Sequence, residues 1–330
     1  MQIKDYTIRG IRKCYRFLLN KRFSNPKCEL DRQSANDKIY NLLKSDKPCL
    51  ITRLGTTELI CINNYLCIIS NEPYLKKLKN FITDNTHTPW WFEDHFKFMN
   101  IYSGIFPENK ETAKKFSIRY LNDIPDVDLL GSFQYYEKFM PLRYDLQRVH
   151  LETMYPFFVD YPWTRALHGK KVLVIHPFEE SIRYQYDKRK LLFENADVLP
   201  DFRLITLKAI QSAAGIKIPF NNWFEALEYM ENEIYKIDFD ICIIGCGAYG
   251  LPLAAYIKRM GKKAIHLGGG TQLLFGIRGK RWENKNYGME YNIPGLFQKS
   301  YSSLFNKNWI KPLSVDTPRT ANKIDGACYW

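Results

Sequence analysis

Two glycine-rich segments in the second half of the chain have a spacing that suits phosphate binding. Residues 245–250 fit the pattern G-x-G-x-x-G and lie directly between an apolar stretch and a helix-like stretch. Such glycines let backbone amides approach a phosphate at a helix N-terminus, where the helix dipole also favours an anion. Residues 266–272 form a second segment after the next apolar stretch. Together they predict a crevice for a phosphate-bearing ligand, with tight turns that bind no ligand as the alternative.

The residues beyond the first glycine segment argue against a redox cofactor. Nicotinamide and flavin enzymes usually place an acidic residue about 20 positions later, where it binds the ribose. In this chain that position falls within residues 265–267, which contain no acid. We therefore expect neither NAD nor FAD, and an oxidoreductase would require a dinucleotide bound to the purified protein.

Ionisable side chains follow two further apolar stretches. His176 and Glu179 come after residues 171–175, and either group can act as a base or a metal ligand. Arg53 and Glu58 lie at the end of residues 49–53 and in the helix-like stretch that follows. The structural alternatives are a carboxylate stabilised by the dipole of its own helix and an ion pair between Arg53 and Glu58.

Positive charge follows the second glycine segment. Arg278, Lys280 and Arg281 are well placed to surround a diphosphate, although they can equally form an ordinary solvated face. His266, at the start of that segment, is a candidate ligand contact, but a lone histidine is more often a hydrogen-bonded structural residue.

The elements that must position these residues are strands of a parallel sheet. Apolar stretches alternate with amphipathic ones from residue 49 onward, which is typical of repeated β-α units. The predicted strands are 49–53, 126–132, 171–175, 202–207, 239–244 and 263–267. The predicted helices are 57–69, 223–236 with Asn221 or Asn222 as N-cap, and 251–260. We expect a Rossmann-like α/β fold, a mostly parallel sheet flanked by helices with the candidate residues at its carboxyl edge.

The N-terminal residues 1–27 combine positive charge with an apolar stripe. They contain eight Lys and Arg residues against one Asp, so they hold +7 of the chain's net charge of +13. Ile8, Ile11, Tyr15 and Leu18 recur at three- and four-residue steps, which predicts a basic amphipathic helix. Such a helix can bind an anionic membrane surface, or it can pack on its own domain. We expect no nucleic-acid partner, because no nucleic-acid-binding motif accompanies the charge.

The rest of the chain is predicted to form one α/β domain over 28–299, with a soft boundary near residue 168. A surface tail is predicted over 300–330, where periodicity is lost. No secretory leader opens the sequence, and no run approaches the ~20 apolar residues of a membrane helix. The eight cysteines show no zinc spacing and are predicted to be reduced, mostly buried thiols. We expect a cytoplasmic protein.

The segment 53–58 and the two glycine segments together resemble the GT-D type of bacterial glycosyltransferase, over most of residues 49–282. Residues 176–180, 246–252 and 328–330 more closely resemble GT-D-fold-like proteins of capsule and O-antigen gene clusters. The resemblance implies a role in bacterial surface polysaccharide biosynthesis, with a nucleotide-sugar donor and a glycan or lipid-linked glycan acceptor. A peripheral position on the inner face of the plasma membrane would suit such an acceptor.

One departure from the GT-D pattern concerns the metal. The characterised enzymes read arginine, aromatic, glycine, aspartate, glycine, glutamate, and the aspartate and glutamate are associated with a divalent metal and the donor diphosphate. Arg53, Gly55 and Glu58 match, but Leu54 and Thr56 replace the aromatic residue and the aspartate. A Mn or Mg ion would be held by Glu58, a second acid and phosphate oxygens, or basic side chains would offset the diphosphate charge instead.

The resemblance and the residue chemistry together assign roles to the candidate residues. Glu58, His176 and Glu179 are the candidates for acting on the acceptor hydroxyl or on a metal. The candidates for contacting the donor are Arg53, Gly55, Gly245, Gly247, Tyr249, His266, Gly268, Gly269, Thr271, Gln272 and Arg278. The alternative function is a non-catalytic nucleotide- or sugar-binding module of a polysaccharide assembly complex, which the missing aspartate favours.

The aromatic segment 89–95 contains the adjacent tryptophans Trp90 and Trp91. Stacking on a sugar ring would suit an acceptor site, whereas packing beneath a loop is the simpler interpretation. We expect packing.

Overall fold

Parallel strands form the centre of the protein. A computed structural model describes residues 2–19, 26–91, 93–213, 216–287, 289, 293–323 and 326–330. The strands are β1 (Cys49–Arg53), β2 (Leu129–Ser132), β3 (Gln147–His150), β4 (Lys171–His176), β5 (Arg203–Lys208), β6 (Ile241–Ile244) and β7 (Lys263–His266). Their order across the sheet is β3-β2-β1-β7-β6-β4-β5, and neighbouring strands are parallel.

Helices cover both faces of the sheet. They are α1 (Gln2–Leu18), α2 (Arg32–Lys44), α3 (Thr56–Ile69), α4 (Tyr74–Ile82), α5 (Glu93–Ser103), α6 (Lys110–Asp123), α7 (Leu151–Met154), α8 (Glu179–Tyr186), α9 (Trp223–Tyr235), α10 (Gly250–Arg259), α11 (Gly270–Leu274) and α12 (Lys280–Glu283). Helices α2 and α8 pack on one face, and α3, α6, α9 and α10 pack on the other. The predicted Rossmann-like α/β architecture is confirmed. None of the helices in the described ranges is long and apolar enough to cross a membrane.

The apolar stretches form central strands because the sheet is covered on both faces. In β4, Val172 and Val174 join one core cluster, whereas Leu173 and Ile175 join the other, as the alternation of a strand requires. A parallel sheet buried in this way needs nearly continuous apolar strands, which is the pattern that predicted them. Strand β1 has the predicted bounds, and β2, β4, β5, β6 and β7 overlap their predicted ranges.

The connection that follows β4 and the connection that follows β6 run along opposite faces of the sheet. Helix α8 connects β4 to β5 on the face that carries α2, whereas α10 connects β6 to β7 on the other face. The segments that follow β4 and β6 therefore diverge, and a crevice opens between them at the carboxyl edge. Residues 176–180 and 245–250 lie at this point.

Helix α1 confirms the predicted N-terminal helix and is attached to the body of the protein through two arginines. Arg12 and Arg16 both pair with the buried carboxylate of Asp84, at 2.5 Å and 2.6 Å. The Arg12 guanidinium also lies 4.3 Å from the ring centre of Phe81 in α4. Part of the predicted positive charge therefore serves an intramolecular contact.

Part of the apolar stripe of α1 packs against the protein, and the rest is exposed. Ile8 and Tyr15 are partly buried, whereas Ile11 and Leu18 are 48% and 78% exposed. Phe17, beside Leu18, is 85% exposed. Met1 and residues 20–25 of the predicted segment lie outside the described residues. Helix α1 thus docks on one side and presents large apolar side chains on another.

Residues 300–330 contribute aromatic side chains to the core. Tyr301, Trp309 and Trp330 are all buried. The loss of periodicity predicts a surface tail, but an irregular segment can bury aromatic rings when their polar atoms find partners. The Trp309 indole, for example, donates to the carbonyl of Leu192 at 3.0 Å. The halves of the chain on either side of residue 168 share one sheet, because β1 pairs with β7.

Two further sequence predictions concern aromatic and thiol side chains. The ring of Trp90 packs edge-on against Phe81 at 5.6 Å, and that of Trp91 stacks on Tyr65 at 6.3 Å, so both tryptophans pack internally. All eight cysteines are free thiols, and six of them are buried.

Candidate functional site

A pocket opens at the carboxyl edge of the sheet, where the sequence predicts the site. Its volume is about 200 Å³, which gives room for a ligand group and not only for single waters. Segments that follow β1, β4, β6 and β7 line it. Nine predicted site residues are among the lining residues: Arg53, His176, Gly245, Gly247, Tyr249, His266, Gly268, Gly269 and Gln272.

The three glycines of residues 245–250 have different roles. A side chain on Gly245 would lie 2.6 Å from the ring of His176, so this glycine lets the segment after β6 approach the end of β4. A side chain on Gly250 would lie 2.2 Å from Nε2 of His266. Gly247 has a φ of 58° in the left-handed region, and the space beside it is open. The first and third glycines therefore allow close packing, and the second leaves the backbone accessible.

The second glycine segment packs against aromatic rings. A side chain on Gly269 would lie 3.0 Å from Trp282, and one on Gly270 would lie 2.2 Å from Tyr155. Gly268 has a φ of 57°, which a residue with a side chain rarely adopts. These glycines bring the aromatic wall of the pocket close to the sheet edge.

Arg53 supplies a cation to the pocket. Its guanidinium lies 5.3 Å from the ring centre of Phe133. No carboxylate of the described residues pairs with it, so the alternative ion pair with Glu58 is not formed. A partly buried arginine without a carboxylate partner is well suited to bind an anion.

His266 presents an unpaired nitrogen in the pocket wall. The hydroxyl of Thr52 donates to the carbonyl of Arg53, so His266 Nδ1, 3.0 Å away, is assigned as the donor to that hydroxyl. Nε2 of His266 is buried and has no partner among the described residues. Burial, and then the charge of Arg53, lower the pKa of His266 to about 3. In the neutral ring Nε2 is therefore unprotonated, and it packs against Gly250.

His176 is also neutral, but it presents a donor. Its Nδ1 accepts a hydrogen bond from the amide of Phe178 at 2.9 Å. Burial lowers the pKa of His176 to about 3. The proton of the neutral ring is therefore on Nε2. In this state His176 can donate to a ligand oxygen and is a weak base near neutral pH.

Five predicted site residues lie outside the pocket lining: Gly55, Glu58, Glu179, Thr271 and Arg278. Gly55 and Glu58 lie at the start of α3. A side chain on Gly55 would lie 1.9 Å from Oε2 of Glu58, so the carboxylate folds back against its own helix turn. This position is favoured by the helix dipole alone.

Glu179 and Arg278 make contacts within the protein. The Glu179 carboxylate accepts hydrogen bonds from Arg183 and Thr206, both at 2.8 Å. The guanidinium of Arg278 lies 3.8 Å from the carboxylate of Glu283. The structure therefore gives both side chains protein partners and does not bring them to the pocket.

Several pocket residues received no role from the sequence. They are Glu152, Tyr155, Trp282, Tyr287, Tyr329 and Trp330. Glu152 directly follows β3, an edge strand of only four residues with polar members, which hydrophobic periodicity did not detect. Recognition of β3 would have marked Glu152 by its place after the carboxyl end of a strand. The aromatic residues carried no periodic signal.

Arg281, which the sequence linked to the diphosphate as part of a basic cluster, lines the pocket among aromatic rings. It donates to the hydroxyl of Tyr329 at 3.1 Å, and its guanidinium lies 5.6 Å from the ring centre of Tyr287. Burial opposes its charge, but the neighbouring Tyr329 and Tyr287 raise the pKa of Arg281 above its ordinary value. It is therefore a second permanent cation of the pocket.

The described residues do not form a dedicated metal site. Within them, no group of three or more His, Cys, Asp or Glu side chains could hold a metal ion. Thr56, which replaces the aspartate of the GT-D pattern, has a hydroxyl that accepts a hydrogen bond from Gln134 at 2.6 Å. Glu58 would be the one motif carboxylate for Mn or Mg, and this donor set fits such an ion poorly.

Comparison of the chain with protein-family profiles, with curated proteins and with solved structures finds no match.

Proposed function

We propose that this chain is a glycosyltransferase-like enzyme that uses a nucleotide-sugar donor in bacterial surface polysaccharide biosynthesis. The proposal is carried by the convergence of Arg53 and two glycine segments on one pocket at the carboxyl edge of a parallel sheet. Ligands of open α/β sheets bind at this edge, where the crossovers diverge. The resemblance of the same segments to GT-D-type enzymes supplies the reaction class.

The pocket residues suit the departure of a nucleoside diphosphate. Glycosyl transfer breaks the bond between the sugar and the diphosphate, and negative charge develops on the leaving oxygen. Arg53 and Arg281 can stabilise that charge, and the open backbone at Gly247 leads into the N-terminus of α10, which favours an anion. His176 can donate from Nε2 to a phosphate or sugar oxygen. None of these contributions requires a metal.

Calorimetric titration with a panel of UDP, GDP, CMP and dTDP sugars, with and without Mn, tests the proposal. We expect one donor to bind, and we expect Arg53→Gln to weaken its affinity at least about 10-fold because a charged hydrogen bond is lost. Arg203→Gln, on the exposed edge strand β5 and outside the pocket, is the matched control and should bind normally. Absence of binding to every member under both conditions would refute the proposal.

A non-catalytic nucleotide- or sugar-binding module is the second candidate. The observation that favours it is the position of Glu58 and Glu179, two proposed catalytic carboxylates, outside the pocket lining. Such a module would bind a donor without turning it over with any acceptor. Release of nucleoside diphosphate by the folded wild-type protein would exclude it.

We also propose that α1 binds the protein peripherally to an anionic membrane, where a lipid-linked acceptor would be found. Phe17 and Leu18 supply exposed apolar surface, and Lys13 supplies exposed positive charge on the same helix. Amphipathic helices with these two properties bind in the plane of the membrane interface.

A further inference from the structure

Glu152 is an acidic residue that lines the pocket. Among the described residues that line it, Glu152 is the only acid. It lies in α7, immediately after β3, and its side chain is buried. Glu58 and Glu179, the carboxylates that the sequence suggests, lie elsewhere. Among the described residues, acid–base chemistry by a carboxylate in this pocket therefore falls to Glu152.

The protein holds Glu152 in one orientation. The hydroxyl of Tyr301 donates to Oε2 of Glu152. Arg32 donates to the backbone carbonyl of Glu152, and the Glu152 amide donates to Nδ1 of His150 at 3.2 Å. Oε1 has no hydrogen-bond partner among the described residues. One carboxylate oxygen is thus fixed and the other remains able to accept a proton.

The surroundings of Glu152 suit proton exchange near neutral pH. Burial raises the pKa of Glu152 to about 7, while the hydrogen bond from Tyr301 and the charge of Arg32 oppose the rise. Among the described residues, the charged and titratable groups around it are Arg32, His150, Tyr155, Tyr287 and Tyr301. A general base is most effective when its pKa lies near the working pH.

The strand order separates Glu152 from Arg53. Glu152 follows β3 and Arg53 ends β1, two strands away, and each strand spacing is about 4.8 Å. The partner of Glu152, Tyr301, contacts the rings of Tyr155 and Tyr287, with centres 6.1 Å and 6.5 Å away. Glu152 therefore lies beside aromatic rings, which bind the apolar faces of sugars.

We propose that a carbohydrate acceptor binds beside Glu152 against these rings, and that Glu152 is the catalytic base which takes the proton from its attacking hydroxyl. The inference rests on the proposed glycosyl transfer. The hydroxyl oxygen bonds to the anomeric carbon, its proton moves to Oε1 of Glu152, and the bond from the anomeric carbon to the diphosphate oxygen breaks with its electron pair. Tyr301 is a positioning residue that holds Oε2.

Glu152→Gln tests this role, because glutamine keeps the size and can still accept the bond from Tyr301. Donor binding is measured by calorimetry, and turnover is measured as nucleoside diphosphate released from the bound sugar nucleotide, with water as the acceptor. We expect the variant to bind donor within about 2-fold of wild type and to lose at least about 100-fold in kcat. Glu111→Gln, an exposed glutamate on α6, is the control and should leave both unchanged.

The pH profile separates catalysis from structure. The wild-type rate should rise as the pH increases through about 7, where Glu152 loses its proton. Tyr301→Phe removes the hydrogen bond that lowers this pKa, so the midpoint should move to higher pH. If Glu152→Gln does not fold, the pH profile of Tyr301→Phe still tests the role of Glu152.

The outcomes distinguish the inference from the proposed function. Wild-type turnover that survives in Glu152→Gln with the same pH profile would overturn the role of Glu152 and leave the glycosyltransferase proposal intact. Unchanged pH midpoints in Tyr301→Phe would also overturn it. Failure of the wild-type protein to bind any sugar nucleotide would refute the proposed function, and the inference with it.

Discussion

At the scale of single residues, the pocket depends on its glycines as much as on the side chains that line it. Gly250 has a φ of −60°, which any residue adopts, so its backbone does not require glycine. The requirement comes from the ring of His266, whose Nε2 would lie 2.2 Å from an added side chain. The close contact positions a neutral histidine in the pocket wall.

Gly250→Ala should destabilise the protein by about 1–3 kcal/mol, because the ring of His266 and the backbone of α10 must separate. Gly10→Ala, in α1 with nothing near the added methyl, is the control and should be neutral or stabilising by up to about 1 kcal/mol. Urea denaturation of the two variants measures the difference. Equal stability of Gly250→Ala and wild type would contradict this explanation of the third glycine.

The types of residues in the sequence were enough to predict part of the site, and there is a physical reason why the other site residues were not predicted. Arg53 and the glycine segments were recognisable because glycine and arginine have specific backbone and charge properties at strand ends. Glu58 has the residue type and spacing of a carboxylate in the GT-D pattern, but its contact with Gly55 depends on the conformation of its side chain. Glu152 depends on a tertiary contact with Tyr301, which local sequence does not encode.

At the scale of elements, helix α9 shows how one side chain sets a helix start. Asn222 accepts hydrogen bonds from the amides of Phe224 and Glu225, both at 3.0 Å. The sequence left Asn221 and Asn222 as alternative caps, and the structure selects Asn222. The side chain of Asn221 instead bonds to the carboxylate of Glu225.

Asn222→Ala should lower the free energy of unfolding by about 1 kcal/mol, the usual effect of losing an N-cap. Asn221→Ala is the matched control, and we expect less than about 0.5 kcal/mol because it removes no bond to a backbone amide. Chemical denaturation gives both values. A larger loss in the Asn221 variant would show that the cap is assigned to the wrong residue.

Helix α1 permits a prediction about membranes. The double substitution Phe17→Ser and Leu18→Ser should reduce co-sedimentation with anionic vesicles without changing the melting temperature, because both side chains are exposed. Binding of the wild-type protein should fall as salt rises, since attraction is screened beyond about 8 Å at physiological ionic strength. Tyr235→Ser, an equally exposed change on α9, should bind normally. Wild-type binding that is unaffected by the double substitution would remove α1 from this role.

At the scale of elements, the buried strands were the easiest to predict from the sequence. The strands β4 and β6 are covered on both faces and consist mostly of apolar residues, which reveals them in the sequence. Strand β3 lies at the sheet edge and keeps polar residues, so its four residues resemble a loop. The other edge strand, β5, was predicted because it keeps the apolar residues Leu204, Ile205 and Leu207.

At the scale of the whole molecule, buried neutral histidines tie stability to pH. Burial, as the first cause in each, lowers the pKa values of five histidines to about 3 or 4: His87, His95, His150, His176 and His266. In the unfolded chain a histidine titrates near 6.5. Between these values the unfolded chain binds protons that the folded protein does not, so stability falls as the pH decreases.

We expect the melting temperature to decrease steadily from pH 7.5 to 5, with each histidine contributing up to about 1.4 kcal/mol per pH unit below 6.5. Glu152 acts in the opposite direction, since its raised pKa favours the folded state as the pH falls below about 7. Calorimetry across this range measures the slope. His168→Gln, at the exposed sixth histidine, should leave the slope unchanged, and a flat profile in the wild-type protein would contradict the lowered pKa values of the other five.

Strand β7 lies between two half-sheets, β3-β2-β1 on one side and β6-β4-β5 on the other. Until residues 263–266 insert, β1 and β6 each expose an open edge that can pair with another chain. Parallel pairing between such distant segments forms slowly, because a long loop must close first. During synthesis Arg53 and the loop after β6 therefore face each other only after β7 has emerged. A chain halted before β7 would be an aggregation-prone intermediate without a pocket, and not a partly functional protein.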